Sequence, residues 1–322
     1  MKFSRQTTLR TDVTVTGIGV HSGKTANLTL RPGAVDTGFV VLRSGLDGED
    51  RVLRATCEAV TATAFATVLG DADGPLVSTA EHILAALRGL GVDNAVIEVD
   101  GPEVPIMDGS AAPFVAAIDR AGIVPQAAPR RFIEVLKPVH VKAGESFGEL
   151  RPHADGFRAE VEIDFANAVI GRQSYILDLT PETFRRDICR ARTFGRMCDV
   201  ANLWNAGYAL GASLDNSVVV DEARVLNAEG LRYADECVRH KVLDVVGDLA
   251  LAGLPLLGLY RSIRGGHKLN HAVLSALMAD RTAWRVVETP AQTPARRRAR
   301  AGLDVGGMVG GMIAPAFGPD VS

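Results

Sequence analysis

The sequence predicts an α+β fold of two similar layered halves, and three observations carry that prediction. Short stretches such as "DVTVTGIGV" and "FRAEVEIDF" alternate apolar and polar residues, the period of half-buried strands. Longer stretches such as "VSTAEHILAALRGLG" and "CVRHKVLDVVGDL" carry apolar residues at helical spacing. The kinds of element in the first half return in the second, with no fixed-period repeat of the sort that solenoids and propellers show.

The elements follow in order. "DVTVTGIGV" and "ANLTLRPG" read as a strand pair turning at "HSGK". "VSTAEHILAALRGLG" is an amphipathic helix stopped by Gly89 and Gly91, followed by the strand "NAVIEVD" and a helix from about Ser110 to Arg120. "VPQAAPRR", Val124 to Arg131, is polar and proline-containing and marks a domain boundary. In the second half, strands in "FIEVLKPVHV" and "FRAEVEIDF" precede a helix at "TPETFRRDICRAR" and an irregular segment from Asp199 to about Leu226. A helix at "CVRHKVLDVVGDL", the strand "PLLGLYRSI", a Gly-Gly loop and the helix "NHAVLSALMADRTAW" complete it. The expected domains are therefore 1–125 and 130–288. Residues 289–322, rich in Gly, Pro and Arg, read as a mobile tail.

With 322 residues, 47% hydrophobic and 23% charged, the chain can bury a sizeable core. A net charge of −3 gives no nucleic-acid signal, because no positive excess exists to neutralise phosphates. Cys57, Cys189, Cys198 and Cys237 have no C-x-x-C spacing and read as reduced thiols rather than a disulfide frame or a cysteine zinc site. The N-terminal stretch "MKFSRQTTLRTDVTV" lacks the apolar core of a signal peptide. The longest apolar run, Leu249 to Tyr260, is 12 residues with Pro255 inside it, too short to span a bilayer. Together these predict a cytoplasmic protein without a transmembrane segment.

Three stretches offer chemistry, and each has a plainer reading. In "VRHKVLD", His240 and Asp244 lie one helical turn apart and can point at one centre, as zinc ligands do; alone, the stripe they form with Lys241 and Asp248 reads as a solvated face. In "STAEH", His82 could bind a metal beside Glu81 as general base, and alone the pair Ser78 and Glu81 reads as a capping box. In "RGGHKLN", His267 sits on a loop after a strand, where it could act as an acid and is as readily an ordinary surface residue. His21 in "GVHSGK" fits neither a P-loop nor a dinucleotide motif, and His140, His153 and His271 have no partner in sequence. "PIMDGSAAPF" is explained by an Asp-Gly turn and a helix capped by Ser110.

Taken together and in order, "GIGVHSGKTANLTLRPG", "VSTAEHILAALRGLG", "DNAVIEVDGPEVPIMDGSAAPF", "RARTFG", "VRHKVLDVVGDL" and "GGHKLN" resemble the UDP-3-O-acyl-N-acetylglucosamine deacetylases of lipid A synthesis over about residues 1 to 288. The resemblance implies two similar α+β domains, each a sheet layered with helices, with the helices inward and the active site between the domains. It implies hydrolysis of the N-acetyl group of UDP-3-O-acyl-N-acetylglucosamine by a monomeric enzyme holding zinc, with iron(II) as the alternative ion. It assigns His82, His240 and Asp244 to the metal, Glu81 to the general base, His267 to the cationic acid, and Asp248 to orienting that histidine. The resemblance also implies that Thr193 helps stabilise the oxyanion, that Lys241 and Phe194 meet substrate, and that residues of about 199–220 form an apolar passage for the acyl chain. Arg196 and Ala212 depart from the family pattern in that region. Non-haem iron oxygenases share the two-His, one-carboxylate set but carry it on strands rather than one helix. A non-catalytic metal or nucleotide-sugar binder would have no use for Glu81, Thr193 and His267 together.

Overall fold

Alternation of small β-branched and leucine residues builds the first sheet of the computed structural model, which describes residues 4–289. Its order is Val13–Ile18, Thr25–Pro32, Ala95–Val99, Phe39–Leu46, Glu49–Arg54, with Val13 opposite Leu30 and Leu28 opposite Val99. Phe39–Leu46 runs parallel to Ala95–Val99; the other pairs are antiparallel. Ala26, Leu28, Leu30, Phe39, Val41, Ile97 and Val99 are the buried alternate residues, so one face belongs to the core. Two helices, α1 (Glu81–Gly89) and α2 (Ala112–Ala121), share that core.

The second sheet has seven strands. Leu256–Ile263 lies at its centre, beside Phe157–Asp164 on one edge and Ser146–Arg151 and Arg131–Val135 on the other. Here α3 (Glu236–Ala250) packs on Phe157–Asp164 and Arg172–Asp178, and α4 (His267–Ala279) packs on Val139–Ala143 and Ser146–Arg151. α1 also packs along α3. Every residue of α1 is buried, and all of α3 but Arg239 and Lys241. A helix buried all round lies inside a molecule, so both helices sit inward, as the resemblance implies. Leu84 and Leu87 of α1 are wholly buried, each contributing about 1.5–3 kcal/mol.

Several local expectations change. "VPQAAPRR" is no loose linker at its start: Ile123–Pro129 is a strand paired antiparallel with Arg5–Leu9, its Gln126 amide donating to Gly33 O at 2.9 Å. Its exposed residues are Pro125, Ala127 and Pro129, while Gln126 is turned inward and also accepts from Asn94 Nδ2 at 2.7 Å; composition alone reads such a stretch as linker. α2 starts at Ala112 with Ala111 before it and no side-chain cap; Ser110 Oγ donates to Asp108 Oδ1 at 2.8 Å and accepts the Ala112 N–H. In "TPETFRRDICRAR" only Pro181–Thr183 is α-helical, capped reciprocally by Thr180 and Thr183, and Phe184–Ile188 continues with π-type bonding. The irregular segment contains a helix, Val200–Asn205, and a strand, Val218–Val220, that pairs parallel with Phe194–Arg196 just before the segment. Beyond Thr289 the predicted tail lies outside the described residues. Among the described residues no helix is long and apolar enough to cross a membrane.

Candidate active site

α1 carries Glu81 and His82 from the first half, and α3 carries His240, Asp244 and Asp248 from the second. Contact between the helices is close because residue 247 is glycine: a Cβ there would meet Glu81 O at 2.0 Å. His240 Nε2 lies 3.3 Å from Asp244 Oδ1 one turn along α3, and the close helix contact brings His82 Nε2 within 3.8 Å of the same oxygen. A tetrahedral ion with bonds of about 2.0–2.1 Å keeps its ligand atoms roughly 3.4 Å apart, so the three atoms have the spacing of a metal centre.

The donor set supports the same conclusion. His240 Nδ1 donates to Ala191 O at 3.0 Å, and a carbonyl only accepts, so its Nε2 presents a lone pair. Burial, with His240 adding to it, pushes His82 down to about 3, and burial also lowers His240 against the pull of Asp244. Burial would raise Asp244, but His240 and Lys241 hold its carboxyl below the usual carboxylate range. Lys241 Nζ donates to Asp244 Oδ2 at 2.9 Å, whereas Asp244 Oδ1 is buried with no hydrogen-bond partner among the described residues. Three acceptor atoms thus converge in residues 3%, 2% and 1% exposed, with no donor between them. Such an arrangement is costly unless a cation sits among them. His82, His240 and Asp244 fit a metal ion.

A second pair faces this set. Glu81 Oε2 accepts the Thr67 N–H at 3.0 Å, and its Oε1 lies 3.8 Å from His267 Nε2. Burial pushes Glu81 up to about 7, with His267 resisting. Burial alone would lower His267, but Asp248 and Glu81 raise it to about 10, so it is a cation at neutral pH. Asp248 holds His267 Nδ1 at 2.9 Å and is itself held by Thr67 Oγ1 at 2.6 Å and Asn270 Nδ2 at 2.8 Å.

The predicted capping box is absent: Ser78 Oγ donates to Pro102 O, Ala80 precedes the helix, and Glu81 is turned toward Thr67. The predicted loop histidine is the first residue of α4, since extended Gly266 ends the glycine run and the helix starts directly after it. The polar stripe of α3 is buried, except for partly exposed Lys241, rather than solvated. Thr193 is tied by its backbone, donating to Gly109 O and accepting from Val218 N–H, each at 2.8 Å. Gly109, at φ +83°, has Asn216 O where a Cβ would stand, so the Asp-Gly turn also packs against the backbone at Asn216 and Ser217. Phe194 lies edge-on to His240 with ring centroids 6.3 Å apart, and Lys241 Nζ is 5.6 Å above its ring. Around residues 199–220, Trp204, Leu210 and Leu214 are exposed, as are Met197 and, on the first half, Ile18 and Phe65. Arg196 turns away to pair with Asp199 at 2.8 Å. A cavity of about 560 Å³ lies at the other end of α1, between Arg88, Phe132, Phe157 and Leu249, and includes none of these groups.

Sequence reasoning missed Thr67, Asn270 and the Ala191 carbonyl. Asn270 is three residues after His267 on one helix face, a spacing that could have flagged it. Thr67 acts from outside any regular element and leaves no pattern, and Ala191, inside "RARTFG", acts through its backbone carbonyl, which side-chain identity does not reveal.

A family model described as UDP-3-O-acyl N-acetylglycosamine deacetylase matches residues 6–279. Curated proteins called UDP-3-O-acyl-N-acetylglucosamine deacetylase from Brucella ovis and Brucella canis are each 51% identical over 284 residues, 88% of this chain and 98% of theirs. The protein of that name from Brucella melitensis is 50% identical over the same span.

Proposed function

Because the chain belongs to the UDP-3-O-acyl N-acetylglycosamine deacetylase family, we propose that it hydrolyses the acetamide of UDP-3-O-acyl-N-acetylglucosamine to UDP-3-O-acyl-glucosamine and acetate, in lipid A biosynthesis, using zinc. The observation that carries this reading is the convergence of three buried acceptor atoms, on His82, His240 and Asp244, beside an acid–base pair, Glu81 and His267. Neutral imidazoles and a carboxylate suit zinc, and iron(II) shares that donor set.

Amides resist hydrolysis because water is a weak nucleophile and an amine a poor leaving group. His82, His240 and Asp244 would hold a zinc ion, which would supply Lewis acidity toward a carbonyl and lower the pKa of water toward about 7. Glu81 takes a proton from the attacking water as the new C–O bond forms. Charge developing on the acetamide oxygen meets the protonated His267 and the Thr193 hydroxyl; losing one such donor typically costs about 3–4 kcal/mol. When the C–N bond breaks, a proton from His267 or Glu81 goes to the departing amine. Asp248 keeps His267 oriented and charged. Lys241 and Phe194 sit where they can meet the sugar, and the exposed apolar side chains near 199–220 suit an acyl chain. In this reading 1–125 and 130–288 act as domains sharing the site, and the four free cysteines agree with a reducing, cytoplasmic setting.

The test is acetate release from that substrate by purified protein, with bound metal measured, before and after chelation. Release should stop with chelator and return with zinc. Glu81→Gln should keep its metal and lose about 10²–10⁴ in kcat. Full release without metal would sink the proposal.

A further inference from the structure

Thr79 is strained. Its φ is +59°, a left-handed conformation that a β-branched residue rarely adopts, and it is 2% exposed. It stands two residues before Glu81 and three before His82, and backbone bonds fix the chain on either side of it. Ser78 N–H donates to Pro102 O and Val104 N–H to Ser78 O, each at 3.0 Å, so the chain arrives extended. Ala80 N–H then donates to Thr67 O at 3.2 Å, and α1 begins at Glu81. All the reversal between these segments falls on Thr79.

Its hydroxyl donates to Glu103 Oε1 at 2.8 Å. Glu103 is 1% exposed and serves two backbone donors besides: His21 N–H at 3.0 Å from Oε1 and Ser22 N–H at 2.8 Å from Oε2. Gly19 makes room for the carboxylate, since a Cβ there would meet Oε2 at 2.1 Å. His21 in turn stands edge-on to Tyr208, ring centroids 5.4 Å apart, and its Nδ1 accepts the Ala209 N–H at 3.3 Å. Tyr208 and Ala209 belong to the segment read above as the acyl passage.

A strained backbone costs on the order of 1–3 kcal/mol and persists only where its surroundings hold it. A buried carboxylate persists only where donors satisfy it. Both conditions are met at one hydrogen bond, next to the proposed base and metal ligand. We infer that Thr79 and Glu103 are positioning residues: Glu103 holds the strained bend that aims Glu81 and His82, and ties that bend to the substrate wall through residues 21 and 22. This rests on the reading of Glu81 and His82 given above. A purely structural role for the bend predicts only changes in stability.

Thr79→Gly, Thr79→Ser and Glu103→Gln in the full chain separate the two. Glycine adopts a positive φ without strain but lacks the hydroxyl, so Thr79→Gly should keep or raise Tm. Its kcat should fall at least about tenfold, and its zinc affinity, measured by competition with a chromophoric chelator, about 10- to 100-fold, the range seen when groups orienting a metal ligand are lost. Thr79→Ser restores the hydroxyl and should recover both. Glu103→Gln should match the glycine variant and raise KM as well, because residues 21–22 are freed. Thr79→Gly with kcat and zinc affinity within about twofold of wild type would overturn the inference. So would the failure of both Thr79→Gly and Glu103→Gln to fold, which would assign the pair to folding alone. Wild-type protein that bound zinc but released no acetate would defeat the proposed reaction, while the affinity comparison still decided the positioning role.

Discussion

Glu81 and His267 keep the usual order of a carboxyl below an imidazole in proton affinity, but both are shifted upward: burial lifts the carboxyl to about 7, and Asp248 with Glu81 lifts the imidazole to about 10. A general base must be unprotonated and an electrostatic acid protonated, so the productive state, Glu81 ionised and His267 cationic, prevails between those values. At saturating zinc, kcat/KM is expected to rise as pH passes about 7 and to fall as it passes about 10. Glu81→Gln should abolish the acid limb, and His267→Gln the alkaline one, each variant slow throughout. An alkaline limb that survived in His267→Gln would refute the role given to that residue. The side chains of this chemistry were legible in the sequence because each sits in a short motif of fixed spacing. Their supports were not: Thr67 reaches Asp248 across 181 residues, and Ala191, although inside "RARTFG", holds His240 through a backbone carbonyl that any residue type would carry.

At the scale of elements, the helices were legible and their ends were not. α1 and α3 have apolar periodicity that survives any context, whereas capping depends on where a side chain finally turns; Ser78 and Glu81 match a capping box in sequence and turn to Pro102 and Thr67 instead. Five of the non-glycine residues with positive φ, Phe65, Thr79, Met107, Ala209 and Arg264, lie on segments that feed the site, and no composition rule places them there. The decisive element contact is α1 on α3 at Gly247. Adding one methyl there puts carbon 2.0 Å from Glu81 O, a backbone atom that cannot swing aside. Gly247→Ala should therefore push the helices apart. Overpacking of this kind costs about 1–3 kcal/mol, and roughly 2–4 °C of Tm per kcal/mol is expected in a large domain. Zinc affinity should fall with Tm, because separation of α1 from α3 carries His82 away from His240 and Asp244. An unchanged affinity alongside a lowered Tm would mean that the helices absorb the methyl elsewhere and that their contact does not set the ligand geometry.

For the whole molecule, the ligands come from both halves: His82 from the element over the first sheet, His240 and Asp244 from the element over the second. A metal bound there is a cross-link between them, and it also relieves Asp244 Oδ1, a buried acceptor with no donor among the described residues. Binding to the folded state alone stabilises by RT ln(1 + [L]/Kd), about 4 kcal/mol at a thousandfold excess over Kd. That corresponds to a Tm difference on the order of 10 °C between zinc-loaded and chelated protein. The size of the shift does not by itself locate the ion, since any tight site on the folded protein would give one. His82→Ala locates it: the alanine removes only the first half's ligand, leaving the pair on α3 intact. If the ion joins the halves through these three residues, the thermal midpoint of His82→Ala becomes nearly insensitive to chelator, and wild type retains the full shift in the same titration. A His82→Ala protein that still gained about 10 °C from zinc would place the stabilising ion on one half, and the active site could then not be an interface held together by its own metal.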